Sequence, residues 1–241
     1  MRRILILGGT AEARALAAAL EGAVHVVSSL AGRVREPRLP VGDVHVGGFG
    51  GPEGLAAWVS ANGIDAVVDA THPFARRMTA SAVEACRTAG VPLLVLRRPG
   101  WAPRPDWVLV DSLEAAARVL PSLGRRVFLT TGRRSLPVFA GLTDLWFLAR
   151  SVDPPEPPVP SNVHVVLARG PYTVEGERAL IGEHRLDVLV TKDSGGEMTT
   201  AKLTATGELG LPVVVVRRPP LPEGAVLVDS VAAAVAWVQA G

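Results

Sequence analysis

Short runs of aliphatic and β-branched residues alternate with Ala-rich amphipathic stretches along the chain. In the first half the runs predict strands over residues 3–7, 24–28, 43–46, 65–69, 92–96 and 107–110. The stretches between them predict helices over 11–20, 52–62, 76–89 and 112–120. The second half predicts strands over 126–130, 145–149, 163–167, 187–190, 212–216 and 225–228. Near-continuous apolar strands separated by helices indicate parallel sheets covered on both faces.

The pattern is written twice. Gly90-Val-Pro-Leu-Leu-Val-Leu-Arg-Arg-Pro99 returns as Gly210-Leu-Pro-Val-Val-Val-Val-Arg-Arg-Pro219, 120 residues on. Val108-Leu-Val-Asp-Ser returns as Val226-Leu-Val-Asp-Ser, 118 residues on, and Asp65-Ala-Val-Val-Asp aligns with Asp187-Val-Leu-Val-Thr at an offset of 122. Ile4-Leu-Ile-Leu-Gly-Gly aligns more loosely with Val127-Phe-Leu-Thr-Thr-Gly, and His45-Val with His164-Val. Segments in one order at nearly one offset imply an internal duplication. The expectation is an α/β protein of two doubly wound, Rossmann-like parallel-sheet domains, residues 1–121 and 122–241, facing across a cleft. The Pro-rich residues 153–160 fall inside the second half and read as a stiff loop. The final segment, 226–239, fits either half.

Composition narrows the function. Of 241 residues 48% are apolar and 20% charged, a core-forming balance that excludes disorder. The longest apolar runs, such as Val213 to Val216, are four or five residues, far below a membrane span. The apolar stretch near the start is four residues, too short for a secretory signal, so a cytoplasmic protein is expected. The single cysteine, Cys86, cannot form an internal disulfide, and no Cys/His cluster predicts a metal. A net charge of +2 with dispersed basic residues gives no nucleic-acid footprint. The oligomeric state is left open, and a monomer is compatible with the sequence. Among 25 basic residues only Lys192 and Lys202 are lysines. Arginine cannot stand in for an amine where a compact ammonium or a proton donor is needed.

In doubly wound sheets, ligands bind beyond the carboxyl ends of the strands. After the first strand, Gly8-Gly9-Thr10-Ala11-Glu12 turns into a helix, offering glycine backbone and helix N–H groups to a phosphate. It is not the full G-x-G-x-x-G pattern, and a plain tight turn reads equally well. The second strand ends in Ser28-Ser29-Leu30-Ala31-Gly32-Arg33, hydroxyls and an arginine where a NAD site would carry an acid, which favours NADPH. Gly47-Gly48-Phe49 offers close approach and an apolar wall suited to adenine. Asp69-Ala70-Thr71-His72-Pro73 ends the fourth strand, with Thr71 and His72 expected to face the cleft and His72 a candidate for direct chemistry.

The second half differs at the same places. Thr130-Thr131-Gly132-Arg133-Arg134, Arg169-Gly170-Pro171-Tyr172 and Lys192-Asp193-Ser194-Gly195-Gly196 bring cations to three strand ends. Such a cluster implies an anionic substrate with several carboxylates.

At these loops the sequence resembles the precorrin-6A reductase family of the corrin (cobalamin) pathway, nearly end to end. The marks are residues 8–14 (Gly-Gly-Thr-Ala-Glu-Ala-Arg), Ser29-Leu-Ala-Gly-Arg33, residues 69–75 (Asp-Ala-Thr-His-Pro-Phe-Ala), Thr131-Gly-Arg133, Arg169-Gly-Pro171 and Thr191-Lys-Asp-Ser-Gly-Gly196 followed by Ala201-Lys-Leu203. The resemblance implies a pyridine-nucleotide reductase delivering a hydride from NADPH to one carbon of a tetrapyrrole-derived polycarboxylate ring and a proton to its neighbour. One branch of the family acts on a cobalt-containing ring and another on the metal-free ring. The first half would hold NADPH through Gly8, Gly9, Thr10, Ser29 and Arg33, with Thr71 and His72 near the nicotinamide ribose or the pyrophosphate. The second half would hold substrate carboxylates through Arg133, Arg169 and Lys192, and Lys192 or Asp193 could relay the proton. Two alternatives also use facing α/β domains. A nucleotide-sugar glycosyltransferase usually needs a longer chain, and a two-lobed periplasmic-type binder of an anionic metabolite would need an export signal.

Overall fold

The computed structural model describes residues 1–32 and 39–241. Its strands are β1 (Arg3–Leu7), β2 (His25–Leu30), β3 (Asp43–Val46), β4 (Ala66–Asp69), β5 (Leu93–Leu96), β6 (Trp107–Val110), β7 (Arg126–Leu129), β8 (Trp146–Ser151), β9 (Val163–Leu167), β10 (Val188–Lys192), β11 (Val213–Val216) and β12 (Val226–Val228). Its helices are α1 (Ala11–Ala19), α2 (Pro52–Ala61), α3 (Arg76–Ala89), α4 (Leu113–Val119), α5 (Leu136–Phe139), α6 (Val174–Glu183), α7 (Ala201–Glu208) and α8 (Val231–Ala240). The predicted doubly wound α/β architecture is present in duplicate. One sheet runs β12-β5-β4-β1-β2-β3 and the other β6-β11-β10-β7-β8-β9, all pairs parallel.

The two orders are the same once β6 and β12 are exchanged, and this corrects the expected division at 121/122. The compact units are Met1–Pro99 with Pro219–Gly241, and Gly100–Arg218. Each last strand and its helix belong to the sheet of the other repeat: β12 pairs with β5, and β6 pairs with β11. The connections explain why. A parallel neighbour in the same sheet needs a crossover of about a dozen residues or more, usually carrying a helix. Ten residues (97–106) separate β5 from β6 and nine (217–225) separate β11 from β12, each Pro-rich and without helix. Both chain crossings fall at the repeated Arg-Arg-Pro segments.

In the first unit, α1 and α8 cover one sheet face, where Leu16, Leu20, Ala234 and Val238 pack on Ile4, Ile6 and Val68. Helices α2 and α3 cover the other, where Leu55, Val59, Ala82 and Cys86 meet Leu5, Leu7 and Val67. In the second unit α6 and α7 bring Ile181 and Leu203 onto Phe128, Leu148 and Leu189. On its opposite face Phe139 of α5 meets Phe147 at 5.8 Å between ring centroids. With both faces buried, strands such as Val213–Val216 have no need of polar alternation. Strands β2 and β8 run two residues past their expected ends, because edge strands β3 and β9 continue the pairing to Leu30↔Val46 and Ser151↔Leu167.

Candidate active site

In the first unit the chain order reverses between β1 and β4, so their carboxyl ends open the crevice where this fold takes ligands. Thr10 ties the loops after these strands together. Its hydroxyl donates to the Ala70 carbonyl at 2.7 Å and accepts the Ala13 N–H at 3.1 Å as the cap of α1. Gly8 N–H donates to the Ser29 carbonyl at 2.9 Å, which joins the β2 end to the same cluster. Gly9 adopts φ +107°, a conformation side chains rarely take, and a Cβ there would meet nothing within 4 Å. The position is open, as close approach of a phosphate requires. The N–H groups of Ala11 and Glu12 have no carbonyl partner within the helix, as at any helix start. Glu12 would repel an anion there, but its carboxylate is held by Arg98 at 2.8 Å. The glycine turn therefore fits a dinucleotide pyrophosphate.

Other expected contacts are placed differently. Ser28, Ser29 and Leu30 lie buried inside β2 (2%, 6% and 7% exposed), not at a loop tip, because the strand is longer than its sequence pattern indicates. Ala31 and Gly32, with φ +64° at the glycine, form the exposed end. Arg33 lies outside the described residues. Gly48 is exposed, but the Phe49 ring packs against His45 and Trp58, at 4.8 and 5.4 Å between centroids, and so helps cover α2. Thr71 is pinned to the buried Asp69, its N–H and hydroxyl donating to Oδ1 at 3.0 and 2.6 Å. His72 is exposed and accepts the Phe74 N–H on Nδ1 at 3.2 Å.

The second unit repeats the crevice between β7 and β10 with different chemistry. The Thr130 N–H and hydroxyl both donate to the Val190 carbonyl. Thr131 is buried, its hydroxyl 2.5 Å from that of Ser135, and Gly132 turns the chain at φ +87°. Arg133 donates to the Pro154 carbonyl at 2.9 Å, linking this loop to the Pro-rich segment after β8. Arg169 is exposed beside Gly170 after β9. Lys192 ends β10 half-buried, and desolvation lowers its pKa. Ser194 follows, and Gly195 is buried at φ +62°.

Asp193 has a structural engagement that its sequence context did not reveal. Its carboxylate accepts the Trp101 N–H at 3.0 Å and lies 3.4 Å from Arg218 Nε, which also donates to its carbonyl at 2.8 Å. A Cβ on Gly100 would sit 2.6 Å from Asp193 Oδ2, so that close approach requires glycine.

Sequence reasoning passed over a buried charge cluster on the α6 and α7 face. Arg150, at the end of β8, pairs with Glu177 of α6 at 2.6 Å. Lys202 of α7 is 5% exposed, and burial first, then the nearby Arg150 charge, pulls its pKa down to about 7 against the opposing effect of Glu177. The signal was the scarcity of lysine: both lysines of the chain lie in one strand–loop–helix segment and both are shifted toward the neutral amine. Among the described residues no group of His, Cys, Asp and Glu is arranged to hold a metal, and no helix is long and apolar enough to cross a membrane.

Residues 3–239 match the family model described as Precorrin-6x reductase CbiJ/CobK. The chain is 58% identical to the precorrin-6A reductase of Rhodococcus erythropolis, over 99% of this chain and 98% of the relative. It is 53% identical to that of Mycobacterium tuberculosis, with the same coverage of each. A solved structure titled CobK precorrin-6A reductase superimposes with a TM-score of 0.91 at 39% identity, covering 100% of this chain and 97% of that one. The end-to-end match agrees with the strand-end chemistry, and the chain belongs to the precorrin-6x reductase family.

Proposed function

We propose that NADPH is the reductant, held at the strand ends of the first unit, and that the second unit holds precorrin-6A through its carboxylates. The observation that carries this reading is the divergence of equivalent loops in two copies of one fold. After β1 stand Gly8, Gly9 and a capping Thr10, whereas after β7 stand Thr131, Gly132 and Arg133. β4 ends on Asp69 with Thr71 beyond it, whereas β10 ends on Lys192 with Asp193 beyond it. One copy has kept an open glycine turn at a helix start, and the other has gathered cations.

NADPH, when bound, supplies the hydride, and the protein supplies position, electrostatics and a proton. Gly8, Gly9, Thr10, Ala11 and Glu12 carry the pyrophosphate turn; Thr71 and His72 border it; Arg33 reads the 2′-phosphate. Arg133, Arg169 and Lys192 engage substrate carboxylates, supported by Thr131, Gly132, Gly170, Ser194 and Gly195. The proton passes through Lys192, whose amine desolvation shifts toward its neutral form whereas an arginine stays charged. Asp193 acts by holding the Lys192 loop to Trp101 and Arg218. A cytoplasmic location accords with this chemistry.

The test is nucleotide discrimination. Arg33→Ala should raise the KM for NADPH about tenfold, the scale of one charge-assisted contact, and leave the NADH value nearly unchanged. Equal effects on both nucleotides would remove Arg33 from the 2′-phosphate.

A further inference from the structure

We infer that the buried Arg150–Glu177 pair, with Lys202 beside it, positions residues 169–172 for substrate by holding the ring of Tyr172. The inference rests on the proposed role of Arg169 in binding substrate carboxylates.

The two copies of the fold provide the first argument. Arg150 stands opposite Val166 in the second sheet where Ser29 stands opposite His45 in the first. A neutral serine fills that place in one copy at 6% exposure, so the fold itself does not require a charge there. A buried ion pair is generally no more stabilising than apolar packing of the same volume. Arg150 and Glu177, with side chains 7% and 2% exposed, therefore call for a reason other than stability.

Their geometry supplies one. The Arg150 guanidinium lies 3.8 Å from the centroid of Tyr172 and 4.9 Å from that of Phe128, between the loop above and the sheet below. Glu177 fixes it edge-on at 2.6 Å. Tyr172 in turn donates its hydroxyl to the Ala168 carbonyl at 3.0 Å. A Cβ on Gly170 would lie 3.2 Å from the Tyr172 ring, so the backbone of residue 170 rests against it. Arg169 is thus carried between two neighbours that both bear on one ring, and the ring is seated on Arg150. Lys202 completes the cluster at 5.5 Å from the Trp101 ring. Burial and the neighbouring Arg150 charge shift its amine toward the neutral form. The buried Glu177 Oε2 has no hydrogen-bond partner among the described residues.

Tyr172 is the chain's only tyrosine, so 3-fluorotyrosine incorporation gives one ¹⁹F resonance that reports on this seat alone. The experiment compares the wild type with Arg150→Leu/Glu177→Leu, which removes both charges together, with Tyr172→Leu, which leaves the pair intact, and with Arg169→Ala. The double variant should fold with a Tm at or above that of the wild type. It should raise the KM for precorrin-6A about tenfold, change kcat less than about twofold, leave NADPH affinity unaltered and shift the ¹⁹F line. Tyr172→Leu should reproduce the KM effect, and it decides the matter should the double variant not fold. A KM rise for Arg169→Ala with none for the other variants would overturn the positioning role. No KM rise for Arg169→Ala would instead overturn the reading on which it rests.

Discussion

The carboxylate of Asp187 accepts the backbone N–H of Arg126 at 2.9 Å, tying the start of β7 to the start of β10. Asp65 does the same for Arg3 at 2.7 Å in the first unit. The duplication thus extends to a side-chain strap at the edge opposite the ligand loops. Asp187 also receives the Arg125 N–H, and a Cβ on Gly124 would come within 2.3 Å of its Oδ1. Replacing Asp187 by Ala strands more donors than replacing Asp65. The expected costs are about 1–3 kcal/mol for Asp187→Ala and about 0.5–1.5 kcal/mol for Asp65→Ala, read by urea unfolding. NADPH affinity should survive Asp187→Ala.

Gly9→Val tests the phosphate turn. A side chain at φ +107° is strained, yet it would meet no protein atom within 4 Å. The folded protein should lose about 1–3 kcal/mol from backbone strain alone. Affinity for NADPH should fall much further, because the branched side chain occupies the open position. Calorimetric titration with NADPH at a temperature where the variant is folded separates the two effects.

Lys202 predicts a pH-dependent stability. Its folded-state pKa is about 7 against an ordinary 10.5. Between those values the unfolded chain binds the extra proton, so this group makes stability rise with pH across that window and imposes its full cost below about 7. Lys202→Met removes the cost and leaves Arg150 and Glu177 paired. At about pH 6 the variant should be more stable than the wild type by about 1–4 kcal/mol, with the gap closing as pH approaches about 10. A gap independent of pH, from thermal melts over that range, would show that Lys202 does not titrate in this way.

Cys86 should be inert in the folded protein. It is 2% exposed on α3, and burial, assisted by the Asp69 charge, pushes its thiol up to about 12. The thiolate is the reactive form. Thiol-specific reagents should label the chain at the rate of global unfolding and stoichiometrically in denaturant, and NADPH should slow labelling by stabilising the native state.

Local signals in the sequence located nearly every strand, because buried parallel strands such as Val213–Val216 leave little else that four consecutive valines can do. They did not reveal the exchange of β6 and β12. Both carry the same Val-Leu-Val-Asp-Ser motif, and a strand's neighbour is fixed by connection geometry and not by its own residues. The ten and nine Pro-rich residues leading to them were the legible clue. The sequence pattern ends the second strand at 28 and puts Ser29 and Leu30 at its tip, but pairing with β3 keeps both in the sheet. Nothing in the local sequence marks Glu177 or Arg150. Their partnership joins residues 27 apart and depends on how α6 lies on β8.

Hydride transfer to the ring can be followed by isotope tracing. The purified protein is incubated without oxygen with precorrin-6A and NADPH carrying deuterium at nicotinamide C4, each C4 face labelled in turn. The nucleotide should be oxidised in step with loss of precorrin-6A, and one deuterium should appear at a single ring carbon of the product with only one of the two labelled faces. The proton at the neighbouring carbon should come from solvent. Nucleotide binding without oxidation, or a product labelled only from solvent, would contradict hydride transfer.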